Sequence, residues 1–111
     1  MARSKPRRSK SSSKSKSAKA SPLWRPSAVR VAQSNVAAFQ AQVRQDWGVK
    51  TADYPALWRW SVAEPAKFWT SVWNFCDVIA ATRGSRALAD GRKMPGAQFF
   101  PDARLIYAEN L

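Results

Sequence analysis

Asp53-Tyr54-Pro55-Ala56-Leu57-Trp58-Arg59-Trp60-Ser61-Val62-Ala63-Glu64-Pro65-Ala66-Lys67-Phe68-Trp69-Thr70-Ser71-Val72-Trp73-Asn74-Phe75-Cys76 is the stretch on which the fold turns. Asp53 is placed to cap a helix, and Pro55 falls in its first turn, where a missing N–H costs nothing. Leu57, Trp58, Trp60 and Val62 make this helix apolar on most sides, which predicts burial between other elements. Glu64-Pro65 opens a second helix. Phe68, Trp69, Val72, Trp73, Cys76, Ile79 and Ala80 recur at three- and four-residue steps, so it is predicted to run to about Ala81 with one wide apolar stripe.

Upstream, Ser27 can cap a long helix from Ala28 to about Trp47. Val29, Ala32, Val36, Phe39, Val43 and Trp47 form its stripe, and Gly48 stands where a left-handed C-terminal residue belongs. Downstream, Gly84 punctuates the third helix and residues 86–91 read as a short extended piece. Met94-Pro95-Gly96 suits a type II turn. Phe99-Phe100-Pro101 is expected to be extended, because a residue before proline avoids the helical region. Leu105–Leu111 places Leu105, Ala108 and Leu111 on one helical face, but under two turns of helix are marginal without a partner. The expected fold is mainly α: three helices, then short extended and turn segments.

Residues 1–21 differ in kind. They hold Ser, Lys, Arg and Ala with almost nothing to bury, so a disordered basic tail is expected. The chain has 111 residues and net charge +12, from 19 Lys and Arg against 7 acids. Eight of the cations (Arg3, Lys5, Arg7, Arg8, Lys10, Lys14, Lys16 and Lys19) lie in residues 1–20 without an acid, which leaves the body at only +4. Such a tail could bind nucleic acid with steep salt dependence. It carries no aromatics for base stacking, so a solvated tail is the preferred reading. A length of 111 residues allows one small domain, and all 13 aromatics (six Trp, five Phe, two Tyr) lie after residue 22 to build it.

The chemistry is restricted. No histidine is present, which removes His-based triads and metal sites. The four glycines, at 48, 84, 91 and 96, form no phosphate-cradling loop. Cys76 is the single cysteine, so no internal disulfide forms, which fits a reducing cytosol. It is expected to be a buried apolar residue rather than a reactive thiol. Ser85 has no activating partner, and Arg59 and Arg104 read as surface groups stacked near aromatics rather than phosphate ligands. The tryptophans read as core or interface, not as a ligand platform. No run approaches the ~18 apolar residues of a membrane span. No catalytic, cofactor-binding or metal-binding residue is assigned.

Four blocks carry a family resemblance. They are Pro22-Leu23-Trp24-Arg25-Pro26-Ser27-Ala28; Asp53 to Val62 with Glu64-Pro65 and Phe68-Trp69; Val72-Trp73-Asn74-Phe75-Cys76; and Met94-Pro95-Gly96-Ala97, Phe100-Pro101, Ala103-Arg104-Leu105 and Tyr107-Ala108-Glu109-Asn110-Leu111. In this order and spacing, residues 22–111 resemble the N-terminal segment of acetoacetyl-CoA synthetases, acid–thiol ligases of the adenylate-forming superfamily. Two positions depart from the pattern: Ile106 replaces an expected Asn, and Asp102 an expected small residue. The resemblance implies a segment that packs on the adenylation domain of a ligase, in the same or a separately encoded chain. It also implies a truncation at the start of that domain. ATP, Mg²⁺ and CoA are implied for the parent enzyme, none of them for this chain, and the location implied is cytoplasmic. The alternative is a small basic nucleic-acid-binding or docking module.

Overall fold

The computed structural model describes residues 21–111; the expected tail and its nucleic-acid reading lie, apart from Ser21, outside the described residues. The order is α1 (Ala28–Ala32), α2 (Asn35–Trp47), α3 (Tyr54–Ala63), α4 (Pro65–Phe75), β1 (Leu88–Ala89), β2 (Gln98–Phe99) and a 3₁₀ turn (Tyr107–Asn110). The mainly α expectation holds. The segment expected to be one long first helix is two. Ser34 adopts an extended backbone and its hydroxyl accepts a hydrogen bond from the Ala37 amide, capping a new helix. α1 has no buried residue, so nothing holds the two pieces in line across Gln33 and Ser34. The other caps fall as expected: Ser27 accepts from Arg30, Asp53 accepts from Ala56 at 2.8 Å, and Gly48 ends α2 at φ +66°.

α4 stops at Phe75, six residues short of the expected end. The cause is a Schellman motif without glycine. Asp77 takes the left-handed conformation at φ +49°, the Asp77 amide donates to Asn74 O, and the Val78 amide donates to Trp73 O. A short polar side chain tolerates that conformation better than most. Ile79 and Ala80 therefore leave the stripe, and Cys76 becomes the cap residue and is exposed, not buried.

The core is small. Phe39 and Val43 from α2 and Leu57 and Trp60 from α3 are its buried hydrophobics, with Val49, Phe68, Val72 and Phe75 packed against them. Phe39 meets Phe75 edge-to-face at 5.3 Å and Phe68 at 5.9 Å. Two polar ties seal the edges. Trp47 Nε1 donates to the Ser71 hydroxyl at 2.8 Å, and the Gln40 amide donates to the carbonyls of Thr51 and Asp53.

Beyond α4 the chain folds back on itself. β1 and β2 pair antiparallel, Leu88 opposite Phe99 and Ala89 opposite Gln98. The turn between them is present, but Gly96 sits at φ +128°, well beyond the roughly +80° of a type II turn. Phe100 is not extended either. It stands at φ +46°, its amide donates to Ala87 O, and its ring lies 4.6 Å from Trp73. Those two contacts hold a conformation that a residue before proline otherwise avoids.

Phe39→Ala should destabilise the domain by about 3–5 kcal/mol, whereas Val36→Ala, on the same stripe but 46% exposed, should cost under about 1 kcal/mol. Urea unfolding followed by tryptophan fluorescence reads both; equal losses would contradict the core as described.

Candidate docking surface

α3 carries its apolar residues on two faces. Leu57 and Trp60 point into the core, while Tyr54, Trp58 and Val62, one turn apart, are 68%, 58% and 64% exposed. Burial of Leu57 and Trp60 fixes the rotation of this helix, so the second stripe is a product of the fold. Single exposed apolar residues need no explanation, but a row of three large ones on one helix marks an interaction surface.

Beside it lies an apolar groove of about 260 Å³ between α2, α3 and α4, with Val36, Phe39, Tyr54, Leu57, Phe68 and Phe75 on its wall. Every exposed wall atom is apolar. That volume falls below the roughly 300–1,000 Å³ of small-molecule sites, and it suits side chains of a polypeptide rather than a nucleotide. A second cleft, about 430 Å³, lies between Ile79–Ala81 and Arg104–Ile106.

Trp69 and Trp73 are less available. Trp69 is 41% exposed and packs edge-to-face on Phe99, and Trp73 is half-buried on Phe100, so the two rings dock the β1–β2 hairpin onto α4. Arg59 and Ser85 are exposed on the surface, and no hydrogen bond or ion pair joins them to a second functional group among the described residues. Arg104 lines the second cleft together with Glu109, whose negative charge would offset the attraction for a phosphate. No group of three or more His, Cys, Asp or Glu capable of holding a metal occurs among the described residues. No helix among them is long and apolar enough to cross a membrane.

Two ties in the C-terminal third gave no periodic signal in the sequence. The Arg86 guanidinium grips Asp102 with both arms, at 3.0 and 2.8 Å. Those hydrogen bonds, with the guanidinium charge adding to them, hold the Asp102 carboxyl below its ordinary value and raise that of Arg86. Asp102 also lies against Gly84, where a Cβ would stand 2.5 Å from the Asp102 Cβ. The acid in place of a small residue thus has a partner. The other tie is Asn110, whose carboxamide accepts from the Ile79 amide at 2.8 Å and donates to the Ile79 carbonyl at 3.0 Å. With the Thr82–Arg104 bridge, it fastens residues 104–110 to the segment leaving α4.

Residues 54–111 match the model of the family described as acetyl-coenzyme A synthetase N-terminus. The acetoacetyl-coenzyme A synthetase of Rhizobium meliloti is 47% identical over 90 residues, covering 81% of this chain and 14% of that protein. The acetoacetyl-CoA synthetase of Danio rerio is 31% identical over 90 residues, covering 80% and 13%. The solved acetoacetyl-CoA synthetase of Streptomyces lividans superposes with a TM-score of 0.74 at 46% identity, over 81% of this chain and 14% of that one. The chain thus spans about one seventh of the length of these relatives.

Asp102→Asn should weaken the hairpin and flatten the acid limb of its stability profile. The depressed carboxyl contributes stability above the unfolded value of about 3.9, and this is lost as pH falls through the folded value. Gly84→Ala should lower the melting temperature further, because the clash is with a fixed Cβ and the backbone stands at φ +75°. Thermal melts from pH 7 down to about 3 compare the variants; an unchanged melting temperature in Gly84→Ala would disprove the close approach.

Proposed function

The chain belongs to the acetyl-coenzyme A synthetase N-terminus family, and from that premise we propose that it is a packing segment of an acetoacetate–CoA ligase, with no catalysis of its own. The parent reaction is ATP + acetoacetate + CoA to AMP, pyrophosphate and acetoacetyl-CoA. ATP, Mg²⁺ and CoA would be held by the adenylation and C-terminal domains of that ligase. The segment occupies residues 22–111 in this reading, and its partner is the adenylation domain, in the same or a separately encoded chain. A cytoplasmic location accords with a CoA-dependent ligase.

The observation that carries the proposal is the Tyr54–Trp58–Val62 stripe on a helix that already has a buried face. A face of this kind is complementary to another folded surface, and its three side chains alone are too few for the roughly 800 Å² per partner of a stable interface. Neighbouring apolar residues would complete it, and covalent attachment or a large contact with the ligase body would supply the rest. The similarity to acetoacetyl-CoA synthetases supports a ligase of that kind as the body.

A chimera tests this. Residues 22–111 should replace the matching segment of the Rhizobium meliloti enzyme with acetoacetate-dependent AMP formation retained. Trp58→Asp in that chimera should lower soluble yield and activity at least tenfold, since a charge would be buried at the contact. The isolated chain should exchange no pyrophosphate into ATP. An active Trp58→Asp chimera would remove the stripe from the interface, and exchange by the isolated chain would end the non-catalytic reading.

A further inference from the structure

The apolar groove between α2, α3 and α4 has the rings of Phe39, Phe68 and Phe75 on its wall. We infer that the segment Pro22-Leu23-Trp24-Arg25-Pro26 is a strap that closes over this groove, with Trp24 and Leu23 as its anchors. The inference does not depend on the buttress reading, because the groove shares only Tyr54 with the α3 stripe.

Four observations converge. First, Leu23 is fully exposed and Trp24 is 69% exposed, so neither large apolar side chain is held in the core. Second, prolines bracket them. Ser21 and Arg25 each precede a proline and are biased to extended backbone, which lowers the entropy lost when the segment docks as an extended peptide. Pro-bounded extended segments entering aromatic grooves are an established recognition mode. Third, the groove matches in chemistry and size. Its wall exposes only apolar atoms and its volume is about 260 Å³, room for a large side chain. Residues 1–20, with eight cations and no aromatic, offer no such group.

The fourth observation is reach. Asn35, the first residue of α2, lies on the groove wall, and the helix is interrupted immediately before it at Gln33 and Ser34. α1 has five residues and therefore extends about 7.5 Å from that break. Trp24–Ser27, fully extended, returns up to about 14 Å. The strap can therefore double back past α1 to the groove mouth, with the Ser34 break as hinge. A tether this short holds Trp24 at an effective concentration in the millimolar range. A second copy at micromolar concentration competes poorly, which favours the chain's own strap. Closure covers the rings of Phe39, Phe68 and Phe75 and leaves Trp58 and Val62 of the α3 stripe free.

Cys76 lies on the groove wall and is the only thiol, which supplies the readout. In the full chain, Trp24→Ala should raise the rate at which an aromatic disulfide reagent modifies Cys76 by about tenfold, since closure protects the thiol in proportion to its population. An unchanged rate would overturn the strap. The Leu23→Cys chain, oxidised with glutathione disulfide at low protein concentration, should form an intramolecular disulfide to Cys76 much faster than the same chain in denaturing urea. A rate equal to that in urea would show that the segment merely collides with the groove. A covalent dimer as the main product would assign the groove to a second copy instead.

Discussion

The edge-to-face packing of Phe68 is the contact on which the rest of the structure depends. Its ring touches Phe39 of α2 at 5.9 Å, Trp60 of α3 at 6.1 Å and Trp69 of its own helix at 5.4 Å. Each such pair contributes about 0.5–1.5 kcal/mol beyond the area it buries. One residue therefore joins three helices that otherwise meet over few buried side chains. The joining continues outward. Trp69 passes the contact to Phe99, and the neighbouring Trp73 holds Phe100, so the hairpin is fixed to α4 through rings rather than through an extended ladder. A two-stranded hairpin is barely stable alone, and this one needs the helix beneath it.

A core of this size constrains what the domain can do. Small domains bury only about 60% of their chain surface, and here four hydrophobic side chains are buried while many others are exposed. The aromatic content is spent on one thin core and on outward faces. That division is the physical basis for reading the segment as a surface that completes another body.

Most of the helical half was legible in the sequence. Caps at Ser27, Asp53 and Gly48 and the stripe through Phe39 and Val43 are local signals, and local signals set where helices start and which face turns inward. The two misreadings of the helices share one cause. Apolar periodicity continues through Ser34 and through Asp77, but a side chain that caps and an aspartate that enters the left-handed region each end a helix without glycine or proline. Cys76 and Ile79 were misassigned to the buried stripe for that reason alone. Trp69 and Trp73 were read correctly as packing residues, although what they pack, the hairpin, has no periodic signature. The second stripe of α3 was visible only as a helix apolar on most sides; which face remained free depended on where α2 and α4 lie.

The C-terminal third illustrates why its similarity to the family was legible before its structure was. It has two-residue strands and a single 3₁₀ turn, so no hydrophobic period of 2 or 3.6 can develop over it. Its order comes from individual side chains standing in for backbone. Asn110 presents a donor and an acceptor to Ile79 as a neighbouring strand would, and Asp102 accepts the planar fork of Arg86 while lying against a glycine. The Asn110 contact needs a carboxamide, which alone presents a donor and an acceptor side by side. Asn110 lies in the Tyr107–Leu111 block that carries the resemblance, whereas Asp102, held by Arg86, is one of the two positions that depart from it. Packing stripes constrain hydrophobicity, and a two-way hydrogen bond such as that of Asn110 constrains the identity of one residue.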